Sequence, residues 1–263
     1  MNSSRKYKFF LFPICIAFLS NTSLHNHYNH FDYSLKQKAN LVVHFKAVVN
    51  GEPLVIKKNY SNTFHEPFTI EKFRFYVGKI SLRHTGTNSQ TPVSEDNYFL
   101  LDFSDSSTTS IQLSVEPDQY SEILFLLGVD SLHNVSGAQS GALDPLRGMF
   151  WTWNSGYIML KLEGSSPLSN QPGHAFAYHI GGYREPNNAA KYIHIPFGSG
   201  QELTIGSGKI NELTIITDIS KFFSEPNPLR IKEIPVCTTP GSLAKSISEN
   251  YASMFSIKKI INE

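Results

Sequence analysis

Two tryptophans, Trp151 and Trp153, stand one residue apart in the stretch GMFWTWNSGY, and the chain holds no other. Side chains alternate along an extended segment, so these two rings share a face if the segment is a strand. Three chemistries suit such a pair. It can be an aromatic pair packed over the end of a core, a stacking platform for the C–H faces of a sugar, or a pair of oxidisable indoles.

Histidine is the second reactive type. In HAFAYHIGG, His179 shares a face with Ala175 and Ala177, whose small side chains leave room beside the imidazole. His194 alternates against Ile193 and Ile195 and belongs to the less buried face of its strand. Imidazoles from adjacent strands are a usual ligand set for copper or zinc, and thioethers favour Cu(I). Met149 and Met159 flank the tryptophans. The tract HNHYNH is a compositional metal signal. A chain starting at Ser23 would present an amine, two amides and the His25 imidazole, a square-planar Cu(II) chelate. Each of these histidines also reads as an ordinary hydrogen-bonded side chain.

Enzymatic signatures are missing. The chain has no G-x-S-x-G elbow, HExxH, P-loop or CxxC, and no acidic pair beside the tryptophans points to glycoside hydrolysis. The expectation is a non-enzymatic protein. Cys237 precedes a helical pattern without an identified base and reads as structural. Asp130 and Asp144 lie outside any dense D-x-D series, so they read as loop-shaping residues before calcium ligands. With 23 basic and 22 acidic residues the chain lacks the basic bias of a nucleic-acid binder.

The elements that must position these residues are strands. The sequence carries 17 Gly and 14 Pro, a turn-rich composition. LVVHFKAVV places Leu41, Val43, Phe45, Ala47 and Val49 on one face. In IEKFRFYVGKISLR the apolar set Phe73, Phe75, Val77 shifts after Gly78 to Ile80 and Leu82, the mark of a β-bulge. Further strands are expected at YFLLDF, SIQLSV, YSEILFLLGV, GYIMLKLEG, HAFAYHIGG, KYIHIPF, QELTI and NELTIITDI. This pattern predicts an all-β protein, an antiparallel immunoglobulin-like sandwich. The stretch 131–150 has no strand or helix period and is expected to be a long irregular loop leading into the tryptophans. Near the end, Leu243, Ile247, Tyr251 and Met254 recur at helical spacing, with Thr239 as N-cap and Pro240 at the first position, predicting one C-terminal helix.

The N-terminus reads as a targeting segment. Arg5, Lys6 and Lys8 precede an apolar run, Phe9 to Leu19, too short to span a bilayer. The expected organisation is a signal peptide over 1–23, a linker over 24–39 and one domain over 40–263. Cleavage leaves Cys237 alone and no membrane span. Export without disulfides fits the periplasm or medium of a Gram-negative bacterium.

The blocks FTIEKFRFYVGKISL, YSEILFLLGVD, GALDPLRGMFWTWNSGYIMLKLEG, FAYHIGG and AKSISENYASMF, in this order, resemble the MbnP-like family, exported β-sandwich proteins, in the branch common in Bacteroidetes-type bacteria. The resemblance implies copper binding outside the cytoplasm. It also implies a partner, a dihaem peroxidase similar to MauG, that oxidises a tryptophan to kynurenine. Trp151 and Trp153 are the candidates by motif position, and His179 matches the histidine ahead of the glycines. The family's Asn-His pair after the GV strand is reversed here as His133-Asn134, which makes His133 the candidate ligand of that loop, and VCTTPGS carries no histidine where relatives often supply one. The expected metal ligands are thus His179, His194 and His133. The alternative reading is an extracellular glycan-binding or interaction sandwich without metal.

Overall fold

The computed structural model describes residues 37–152 and 154–262. The expected signal peptide, most of the linker and Trp153 lie outside the described residues. Along the chain run β1 (Ala39–Val49), β2 (Glu52–Pro53), β3 (Asn59–Ser61), β4 (Pro67–His84), β5 (Gln90–Asp102), β6 (Ser110–Val115), β7 (Gln119–Leu127), α1 (Ser131–Val135), β8 (Phe150–Thr152), β9 (Gly156–Ser165), β10 (Ala175–Gly181), β11 (Lys191–Pro196), β12 (Leu203–Thr204), β13 (Asn211–Asp218), α2 (Ser220–Ser224), β14 (Val236–Cys237), α3 (Ser242–Ala252) and β15 (Phe255–Asn262).

Two sheets face each other. The smaller has the order β15-β13-β1-β2, with β6 also on β1; the larger runs β11-β7-β4-β9-β10-β14. The alternation expected for β1 holds: Leu41, Val43, Phe45, Ala47 and Val49 are all buried. Phe45 meets Phe75 and Phe125 edge-on at 6.2 and 5.8 Å between centroids, and Phe255 meets the same two rings at 5.7 and 5.3 Å. These contacts join the inner faces of the two sheets. The all-β sandwich is therefore present, but it is mixed and not purely antiparallel. β1 pairs with β13 in parallel, and so does β10 with β14. Periodicity reports which face of a strand is buried. It carries no information on the direction of the neighbour.

β4 is the spine. β4 pairs with β3 at Pro67–Thr69; further on, one edge pairs with β5 from Arg74 to Arg83, and the other pairs with β9 up to Phe75 and with β7 from Val77 onward. The bulge expected at Gly78 is present as register slips between Gly78 and Ile80, with Lys79 at φ 48°. A Cβ on Gly78 would come within 2.5 Å of the Tyr98 ring, so the absent side chain lets that ring lie on the strand.

The irregular loop expected before the tryptophans is ordered into short pieces. Asp130 caps α1 by accepting from the His133 amide, and Asp144 accepts from the Leu146 amide at the start of a 3-10 turn over Pro145–Arg147. Both aspartates thus shape the loop. Beneath this roof lies a second core on the outer face of the larger sheet, formed by Tyr76, Tyr98, Leu126, Val129, Leu143, Met149, Tyr157 and Ile158. The pieces are too short to show a period of their own.

The C-terminal helix is present with corrections. It starts at Ser242 behind Gly241 without a side-chain cap, so Thr239 and Pro240 are not its cap and first position. Ile247 and Tyr251 are buried as expected, but Leu243 is 39 % exposed and Ala244 takes the inward place. The chain then returns as β15 against β13, a strand the helical stripe had concealed.

Candidate functional site

Trp151 sits on β8, a short strand hydrogen-bonded to the start of β9. Its ring is half-buried at the rim of the second core. A Cβ on Gly181 would fall 2.7 Å from Cζ3 of Trp151 and 2.6 Å from the Tyr157 carbonyl oxygen. The first glycine after His179 is therefore the seat of the indole, and the two sequence motifs meet in space.

Two charged rows cross the outer face of the sheet beside this seat. In the first, His179 on β10 registers with Lys161 on β9, which registers with Arg74 on β4, which registers with Asp102 on β5. In the second, Ala177, Glu163 and Lys72 are in register. Glu163 joins the rows, with His179 Nε2 at 2.6 Å and Lys72 Nζ at 2.8 Å. The hydrogen bond from His179, reinforced by the Lys72 ammonium, outweighs the opposing effect of burial and holds the Glu163 carboxyl down at about 2. Arg74 Nη2 lies 2.7 Å from Asp102.

The cations also hold the roof. Lys161 is 8 % exposed and donates to the Gly148 carbonyl at 2.5 Å. Arg74 donates to the Arg147 carbonyl at 3.3 Å. Two successive carbonyls just ahead of Phe150-Trp151 are thus tied to the sheet. Burial pushes the Lys161 ammonium below its ordinary range, with the Lys72 and Arg74 charges adding to the effect. The sequence shows these residues only as polar positions alternating with apolar ones; the cross-strand pairing that gathers them is not written locally.

The three expected metal ligands do not converge. His179 and His194 register, through β9 and β7, with Arg74 and Ser81 on β4, positions roughly 20 Å apart along the strand at the usual rise per residue. His194 is half-exposed, with Nδ1 3.6 Å from Glu122. His133 is on α1, its Nδ1 2.9 Å from Asp130 and its ring 4.8 Å from that of Tyr98. Asp130 also receives Lys79 Nζ at 2.6 Å and the Tyr98 hydroxyl at 3.0 Å. Its carboxyl is held far below the usual range: hydrogen bonds from Lys79, His133 and Tyr98 together overcome a desolvation effect that acts the other way. Met149 and Met159 are fully buried in different cores and face no histidine pair. Among the described residues no three His, Cys, Asp or Glu side chains gather closely enough to hold a metal ion. A copper centre built from His133, His179 and His194 together does not fit this geometry. Alternation placed His194 on the less buried face of its strand, as observed, but said nothing of its distance from His179 or from His133 on α1.

What His133 and His179 share is a carboxylate on one ring nitrogen, Asp130 on Nδ1 and Glu163 on Nε2. Such a partner fixes the tautomer and aims the other nitrogen, the arrangement seen behind metal-bound and proton-transferring imidazoles.

No curated protein matches the chain. Among solved structures it is similar to MbnP from Methylosinus trichosporium, with 16% sequence identity and a TM-score of 0.49, covering 78% of this chain and 82% of that one. The MbnP family model matches residues 38–239, a span that includes both charged rows, the Trp151 strand and its glycine seat, and the chain belongs to the MbnP family.

Proposed function

We propose that this is an exported, non-enzymatic, copper-associated protein whose Trp151 segment is the target of oxidation by a dihaem peroxidase partner. The observation that carries the reading is the seat of Trp151. The indole is half-buried, with the Cζ3–Cη2 edge of its ring against Gly181, and its strand is anchored by Lys161 and Arg74 through the roof carbonyls. A tryptophan that an external oxidant must reach needs accessibility and a fixed orientation, and this one has both. Family membership supports the copper association. When bound, copper would supply a redox-active cation outside the cytoplasm. The imidazole of this chain nearest in sequence to the Trp151 seat is His179, oriented by Glu163.

A broad exposed stacking platform, which glycan binding requires, is not what Trp151 forms, because one edge of its ring is against the β10 backbone.

The test is competition for Cu(I) against a chromophoric chelator, using the chain from Phe31 onward to remove the tract at 25–30. Tight one-to-one binding that is lost in His179→Ala supports the reading. Binding unaffected by that change moves copper away from the sandwich face. A second measurement, peptide mass analysis of protein exported by its native host, is expected to find kynurenine within the peptide that contains Trp151 and Trp153. Unmodified tryptophan at both positions would remove the peroxidase partner from the proposal.

A further inference from the structure

Three segments distant in sequence meet beyond the Trp151 strand and enclose a cleft of about 170 Å³. They are the turn at Asn154, the stretch after Gly181, and the start of the segment leading into α3. Tyr183 forms one wall and is 6 % exposed. The Arg184 guanidinium lies over this ring, 5.1 Å from its centroid. Glu185 and Asn187 complete the same side.

Arg184 and Glu185 are both exposed. Among the described residues neither Arg184 nor Glu185 takes part in an ion pair, with each other or with any other side chain. A guanidinium stacked on a buried ring has little rotamer freedom left to lose, and its planar fork suits a carboxylate. The carboxylate of Glu185, lining the same small space, opposes a second anionic group and favours a cationic one. A ligand that answers both charges within this volume carries a carboxylate and an ammonium close together. The Asn154 and Asn187 amides add neutral donors and acceptors at the rim.

We propose that this cleft binds a free α-amino acid, its carboxylate on Arg184 and its ammonium on Glu185. The proposal is independent of copper and of tryptophan oxidation.

The test is a titration of the isotope-labelled mature protein, followed by amide chemical shifts, with three probes: free glycine, acetate and glycinamide. Glycine is expected to give saturable shifts at Gly182, Tyr183 and Asn187. Acetate lacks the ammonium and glycinamide lacks the carboxylate, so each is expected to bind about tenfold more weakly or less, as the loss of one charge-assisted pair implies. Arg184→Gln should abolish the glycine response, and Glu185→Gln should bring glycine down to the level of acetate. Both side chains are exposed, so neither variant threatens the fold. A glycine response that fails to saturate, that acetate and glycinamide reproduce equally, or that survives in Arg184→Gln overturns the proposal.

Discussion

The two cores of this protein are built from different materials. Between the sheets the large rings are mostly phenylalanines, Phe45, Phe75, Phe125 and Phe255 among them, packed edge to face. Under the roof the rings are tyrosines, and each spends its hydroxyl on the loop above: Tyr76 on the Ala142 carbonyl, Tyr157 on the Leu143 carbonyl, Tyr98 on the Asp130 carboxylate. Burial alone is non-directional and holds regular strands well. An irregular loop needs its position specified, and hydrogen bonds from buried phenols do this. Trp151 lies at the rim of the second core.

The sharpest way to separate the two regions is to remove a ring from the core between the sheets. Phe75→Ala should destabilise the whole molecule by about 3–5 kcal/mol, the cost of a large aromatic deletion in a packed core. Denaturant unfolding followed by far-UV circular dichroism measures it. A loss confined to the roof amides in hydrogen exchange, with the sheets unaffected, would contradict the division drawn here.

Next in size is Gly181→Ala. The new methyl meets the Trp151 ring and the Tyr157 carbonyl oxygen, and overpacking of this kind costs about 1–3 kcal/mol. The indole should be lifted toward water, so tryptophan emission should shift to longer wavelength and quenching by iodide should increase. Unchanged emission and quenching would mean that Gly181 does not seat the ring.

Tyr157→Phe is expected to cost less, about 1 kcal/mol for one neutral hydrogen bond. Hydrogen exchange should quicken at Leu143 and its neighbours while the inter-sheet strands keep their protection. Equal loosening of both regions would show that the two cores open as one unit.

Which of these features the sequence exposes follows from the range over which each is encoded. The alternation in β1 and the slip at Gly78 are local and legible. The tryptophan motif and the glycines after His179 are each legible as motifs, although only the fold reveals that one seats the other. β15 hides behind the helical stripe ending at Met254, because Ile257 and Ile260 continue an apolar pattern that two periods share. α1, five residues long, depends on its Asp130 cap and on Asn134, which bonds the Val129 and Asp130 carbonyls and receives the Tyr157 amide. No window of apolar residues reports such a helix. The rows that gather Lys72, Arg74, Lys161, Glu163 and His179 depend on register between strands far apart in the chain. That is also why three plausible histidines turned out to belong to three places.

The smallest effect belongs to those rows. Glu163 has its carboxyl held at about 2 in the folded chain, below an ordinary value of 4.5, first by the hydrogen bond from His179 and then by Lys72. A depressed carboxyl stabilises the fold above its unfolded pKa and loses that contribution as pH falls through the folded one. The window is therefore pH 4.5 down to about 2. Glu163→Gln should flatten the fall in thermal midpoint across this window. The effect should be modest, because Glu163 and Lys72 keep 25% and 37% of their side-chain surface exposed and exposed pairs are screened by water and salt. His179→Ala removes the larger cause and should raise the Glu163 carboxyl toward its ordinary range, visible as a shift of its side-chain carbon resonance to higher titration pH. If Lys72→Met raised it more, the hydrogen bond to His179 would not be the leading influence, and the orientation of that imidazole would have to come from elsewhere.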